Sequence, residues 1–362
     1  MFAAARDRAV GLGYSAAWRT VRAMPAGVSR RWFRAAADAA SVRNGAAARQ
    51  LRRNLRRVVG PELPEPRMDD LVRAALRSYA RYWQETFTLE SMDHAAVAAS
   101  FEANMVGREH IDAGLAAGRG VILALPHSGN WDASGIWLVS HSGPFTTVAE
   151  RLKPESVFDR FVAYRESIGM EVVALTGGEQ PPAGVLAERL RRNRVVCLLA
   201  DRDLSHNGIG VDFFGGPTRM PAGPALLAAR TGATLHAVHS FFVGEDGWGH
   251  TVSAPIELPG ERLRDRVTAG TQQLADLFAA GIRTKPEDWH MLQRLWLADL
   301  PPRPLREEPA VPVPDIGRAG VPGDGPGTGP DDGPAAATGE APATGPAGRT
   351  EPGTDGGGTE QR

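Results

Sequence analysis

Residues 121–132 read VILALPHSGNWD, and two side chains in this stretch, His127 and Asp132, could together move a proton. An imidazole takes and returns a proton near neutral pH. A carboxylate bonded to one ring nitrogen would fix the tautomer and leave the other nitrogen as a base. Five residues along a helix turn through about 500°, so the pair would lie about 140° apart if both were helical. They meet only if His127 stays in a loop and Asp132 opens a helix. Pro126 ends the apolar run, Gly129 loosens the turn and Asn130 is a good N-cap. The spacing therefore predicts a strand, a turn bearing His127, and a helix whose first turn lets Asp132 accept a hydrogen bond from the ring. The competing reading is that Asp132 only complements the helix dipole. With nine histidines in the chain, an aspartate at this spacing arises by chance about half the time, so the pattern alone is weak.

Other chemistries find less support. No G-x-S-x-G turn is present to carry a serine nucleophile, and Ser128, adjacent to His127 in an extended loop, points away from it. GLGYSA at residues 11–16 fits a glycine-rich dinucleotide pattern, but no strand precedes it and a Trp/Arg helix follows. Metal binding is not expected: His236 and His239 are three apart in an apolar strand and face opposite sides, and His290 stands isolated. The single cysteine, Cys197, sits in the apolar run RVVCLLA and reads as an inert core residue in a reduced compartment.

The elements that must position His127 alternate. Strand-like runs fall at 120–125, 145–149, 171–175, 194–200, 209–214, 233–243 and 250–256. Helical patterns fall between them at 108–118, 131–141, 154–168, 182–192, 221–231 and 261–283. Short apolar runs separated by helices predict an α/β layered sandwich, its central sheet mostly parallel or mixed and flanked by helices. Ligand sites in such sheets lie at the carboxyl ends of the strands, where His127, Glu150 and Asp201 all fall. Three further helical stretches, 2–23, 29–58 and 67–88, precede this core.

Charge is distributed unevenly. Residues 1–60 carry thirteen Arg and two Asp, interleaved with Trp18, Val21, Trp32, Phe33, Leu51, Leu55 and Val58, whereas residues 301–362 carry ten acids and five Arg. The first block predicts basic amphipathic helices that dock on an anionic membrane surface at the cytoplasmic face, peripherally, with solvated arginine faces as the alternative. No run approaches the ~18–20 apolar residues of a bilayer span, and the first segment lacks the uninterrupted apolar core of a signal peptide. No nucleic-acid motif accompanies the arginines, so no nucleic acid is expected. The Pro/Gly/acidic segment 301–362 buries too little apolar surface to fold and is expected to be a disordered tail. The domain is then 1–300, with an α/β catalytic core over 100–297.

Several stretches together resemble the lysophospholipid acyltransferase superfamily: HSGNWD after its strand, VAERLKPESVFDRFVAYRESIGMEVV, VVCLLADRDLSHNGIGVDFFGGPTRMPAGPALLAARTGA and LGYSAAWRTVRAMP. The resemblance covers about residues 10–297 in order and is nearest to the branch that acylates lipid A and phosphatidylinositol mannosides. It implies a glycerol-3-phosphate acyltransferase-like fold and transfer of a fatty acyl chain from acyl-CoA, as co-substrate, to a mannose hydroxyl of a phosphatidylinositol mannoside glycolipid. It implies no acyl-enzyme and no cofactor. By the same resemblance His127 is the general base and Asp132 orients it. Glu150 supports the pair and the sugar, and Asp201 falls where a glutamate one methylene longer is implied. Arg165, Asn207 and Arg230, with His127, contact the acyl-CoA. The alternatives are a lipid A-type enzyme acting on an acylated glucosamine and a non-catalytic lipid-binding protein.

Overall fold

The computed structural model describes residues 18–150, 155–177, 181–204 and 207–300, together with 13 and 16. Most of the first predicted helix and the 301–362 segment lie outside the described residues.

The expected 29–58 helix is two helices, α1 (Ala26–Arg43) and α2 (Ala46–Val59), because Asn44 adopts the left-handed conformation between them. Both pack on the long α3 (Glu65–Thr88) around a small core of Leu51, Leu55, Met68, Val72 and Leu76. The apolar stripe of α2 thus faces protein. Its arginines are paired as well: Arg52 and Arg56 reach Glu65, and Arg57 reaches Asp299.

The α/β core follows: α4 (His94–Ala103), β1 (Met105–Val106), α5 (Arg108–Ala116), β2 (Val121–Leu125), α6 (Trp131–Ser142), β3 (Phe145–Ala149), α7 (Glu155–Ser167) and β4 (Met170–Ala174). Then come α8 (Pro182–Arg191), β5 (Val195–Leu199), β6 (Ile209–Phe213), β7 (Gly216–Met220), α9 (Gly223–Thr231), β8 (Thr234–Val243), β9 (Gly247–Val252) and α10 (Leu263–Thr284). Seven strands form one sheet in the order β1-β9-β8-β2-β5-β3-β4, parallel except where β8 meets β9. This is the expected α/β layered sandwich with helices on both faces. β2 is buried along its whole length at the centre, as an all-apolar run requires.

One expected strand of the sheet, 209–214, lies elsewhere. It is β6, paired antiparallel with β7 in a separate hairpin. β7 contains Pro217, which cannot donate to a ladder and is tolerated in a two-stranded edge.

Candidate active site

The site grows out of strand register. β2 and β5 run parallel with Leu125 opposite Leu199, and Ala200 N–H donates to Leu125 C=O at 2.8 Å. Two residues beyond that pair on each strand are His127 and Asp201. His127 Nδ1 lies 2.6 Å from Asp201 Oδ1, and the His127 amide donates to Asp201 Oδ2 at 3.0 Å. The indole N–H of Trp289 donates to the same Oδ2 at 3.0 Å. Asp201 is fully buried. Burial alone would raise its carboxyl pKa, but the imidazolium charge and these three hydrogen bonds outweigh it and hold the group below the ordinary carboxylate value. An acceptor on Nδ1 keeps the proton there and leaves Nε2 as the basic nitrogen, on a ring 27 % exposed.

Asp132 is not the partner of His127. It lies in the first turn of α6, where it accepts from Arg165 Nε of α7 at 2.9 Å and from the Tyr82 hydroxyl of α3 at 3.2 Å. The reason is the direction of the α6 first turn: it carries Asp132 under the helix toward α7 and α3, while His127 stays level with the end of β5. Burial would lower the Arg165 pKa, and the Asp132 carboxylate more than reverses this, so the guanidinium stays charged. Arg165 is therefore engaged inside the protein on Asp132. Asp132→Ala leaves that cation buried without a counter-charge and is expected to cost ~3–5 kcal/mol of stability. Chemical denaturation checks this, and an unchanged midpoint would exclude the structural pairing as important.

The expected turn is otherwise as read. The Asn130 side-chain oxygen accepts from Ala133 N–H at 2.9 Å, and its amide donates to buried Glu85 at 2.7 Å, which fixes the cap. Gly129 has φ 58°, and a Cβ there would lie 2.7 Å from the Ser240 backbone, so only glycine fits. Ser128 is buried and donates to Ser240 C=O at 2.7 Å, away from any nucleophilic role.

The remaining expected residues are dispersed. Glu150, just past β3, is 54 % exposed and reaches Arg202, the residue after Asp201, at 3.6 Å. Asn207 is exposed in the loop before β6. Arg230 is exposed in the last turn of α9. That turn leads into Thr234, which pairs with Val121 at the start of β2, so Arg230 lies at the opposite edge of the sheet from His127. The expectation that Arg230 joins His127 is corrected by this topology.

Residues 288–290 were not anticipated. Gly129 N–H donates to Asp288 C=O and His290 N–H to His127 C=O, at 2.9 and 2.8 Å, so this segment straps the His127 loop. His290 is not isolated. Its ring lies within 6.2 Å of Tyr79, Tyr82 and Trp131, and its Nε2 is 2.9 Å from the Ser78 hydroxyl, which also bonds Asp288. Burial pushes His290 down to about 3, too low for a base near neutrality. The signal in the sequence was the clustering of Asp, Trp and His in DWH, without a periodic element to place it.

Between α6 and the sheet is an apolar cavity of about 70 Å³. Trp131, whose ring lies 5.5 Å from that of His127, lines it together with Leu125, Asp132, Arg165, Met170 and Cys197. Burial raises the Cys197 thiol, which stays protonated. Among the described residues no group of three or more His, Cys, Asp or Glu converges as a metal site.

The site is thus a histidine held by a buried carboxylate at the carboxyl edge of a parallel sheet, with an apolar slot under the neighbouring helix. The chain belongs to the bacterial lipid A biosynthesis acyltransferase family, whose family model matches residues 8–298. It is similar to the phosphatidylinositol mannoside acyltransferase of Mycolicibacterium smegmatis, 57% identical over 80% of this chain and 92% of that protein. It is also similar to the protein of the same name from Mycobacterium tuberculosis H37Rv, 52% identical over 79% of this chain and 88% of that one. A lipid A biosynthesis acyltransferase of Haemophilus influenzae is 29% identical over 31% of this chain and 35% of its own length.

Proposed function

We propose that this protein transfers a fatty acyl chain from acyl-CoA to a mannose hydroxyl of a phosphatidylinositol mannoside. The observation that carries the reading is His127 with Nδ1 bound to buried Asp201 and its ring 5.5 Å from Trp131, which lines an apolar cavity. Nε2 removes the hydroxyl proton as the sugar oxygen attacks the thioester carbonyl. The carbon–sulfur bond then breaks, and the thiolate leaves with the proton that His127 returns. The positive end of the α6 dipole, next to His127, favours the negative charge on the carbonyl oxygen. The acyl chain enters the cavity, whose wall includes the flexible Met170. Arg165 lines it together with Asp132. Glu150 and Asn207, exposed at the same end of the strands, face the donor headgroup and the sugar.

The test offers the purified protein a long-chain acyl-CoA with either phosphatidylinositol mannoside or an acylated glucosamine lipid and follows label into lipid. Label in the mannoside alone is expected. Transfer only from acyl carrier protein to the glucosamine lipid would establish the second reading, which the family description favours.

We further place the enzyme peripherally on the cytoplasmic membrane face. No helix among the described residues is long and apolar enough to cross a membrane. The outer side of α1 exposes Val28, Val42 and Trp32, the last 59 % exposed, with Arg31 beside them, while Arg30 and Arg34 pair with Asp246 and Glu245. An adjoining groove of about 560 Å³ runs between α1 and α3. Apolar anchors among arginines suit an anionic interface. Binding to anionic liposomes is expected to fall with salt and to weaken several-fold in Trp32→Glu, measured by co-sedimentation. Trp32 is the position to change because Trp18 and Val21, also near the N-terminus, are buried in the main core.

A further inference from the structure

The apolar cavity runs under α6 across the strands from β3 to β9, four inter-strand spacings or roughly 19 Å. Trp131 and Asp132 line it where α6 begins. On the β9 side it ends at Ile111, Trp137, His250 and Val252. That end holds an anomaly. His250 is 3 % exposed, and neither of its ring nitrogens has a hydrogen-bond partner. Among the described residues it is the histidine with both nitrogens orphaned.

Its neighbours offer no relief. The ring stacks on Phe101 at 4.9 Å and meets Trp137 edge-on at 4.8 Å. The nearest acid, Glu102, is committed to the Trp137 indole at 2.8 Å and to Arg108. Burial pushes the imidazole down to about 3, so it is neutral and presents one N–H donor and one lone pair. Buried polar atoms are nearly always paired. Here both belong to a residue that lines a cavity whose other walls at this end are apolar.

We propose that His250 is a polar stop at the inner end of the acyl cavity and sets the length of acyl chain the enzyme accepts. The proposal rests on the acyl-transfer reading. A chain that ends short of the ring leaves room for water on the two nitrogens. A chain that reaches the ring seals them off and puts a methyl group, which cannot hydrogen-bond, in the place of water. Longer donors are therefore disfavoured by polarity as well as by space.

The experiment measures kcat/KM for saturated acyl-CoAs from decanoyl to icosanoyl, and for omega-hydroxy counterparts, with the mannoside acceptor. Wild type is expected to fall about tenfold just beyond its optimum and to recover when the offending chain end carries a hydroxyl. His250→Leu, apolar and of similar volume, is expected to flatten the cut-off and lose the omega-hydroxy preference. Where that variant does not fold, His250→Asn, smaller but still polar, is expected to move the cut-off to longer chains and keep the preference. A folded variant with the wild-type profile and preference overturns the role of His250 and leaves acyl transfer intact. Failure of the wild type to transfer from any acyl-CoA overturns the parent reading and this one with it.

Discussion

Replacing His127 by alanine is expected to slow acyl transfer by ~10²–10⁴, the usual contribution of a general base, with little change in melting temperature. The two halves of this expectation have separate origins. The rate falls, on the proposed mechanism, because Nε2 is the nitrogen that takes the hydroxyl proton. The fold survives because the loop is held by its backbone, through Gly129 N–H to Asp288 and His290 N–H to His127 C=O, and not by the ring. Asp201 also keeps two of its three donors, the amide of residue 127 and the Trp289 indole. Near-normal transfer by a folded His127→Ala protein would sink the mechanism.

The second large effect belongs to Asp201, which acts through His127. Asp201→Asn is isosteric, yet only one of its two side-chain heads can accept. Two N–H donors converge on Oδ2 and one on Oδ1, so the asparagine oxygen is expected to turn toward the pair and the amide toward Nδ1. Nδ1 must then accept, the proton moves to Nε2, and the base is lost. The comparable swap in a serine-protease triad costs about 10⁴ in kcat, and a loss of ~10³–10⁴ in kcat is expected here, with KM and stability nearly unchanged. Asp201→Glu keeps an acceptor and should recover most of the rate. Equal loss in the asparagine and glutamate variants would point to packing instead of tautomer control.

The sequence made the individual elements legible because each carries its own signal. VILAL and VVCLL are uniformly apolar, as strands buried on both faces must be, and PHSGN carries a proline stop, a positive-φ glycine and a cap. Pairing between distant elements left no such trace. His127 and Asp201 meet because Leu125 and Leu199 share a register, and no local periodicity records which strands are neighbours. The spacing of His127 and Asp132 suggested a contact along the chain, whereas the first turn of α6 delivers Asp132 to Arg165. The apolar residues of α2, read with the rest of 1–60 as a membrane-docking face, are covered by α3 here, because periodicity shows that a face is covered, not what covers it. The 288–290 segment escaped notice because three residues in an extended strap are too few to show a period.

That strap also bears on how the enzyme comes into being. The loop that presents the base is made early in synthesis, and its clamp, together with the Trp289 donor to Asp201, arrives near the end of the domain. A ribosome-bound chain lacking the last elements has the reactive imidazole but neither its anchorage nor its fully dressed carboxylate. A fragment truncated ahead of residue 286 is therefore expected to lack both the clamp on the His127 loop and one of the three donors to Asp201.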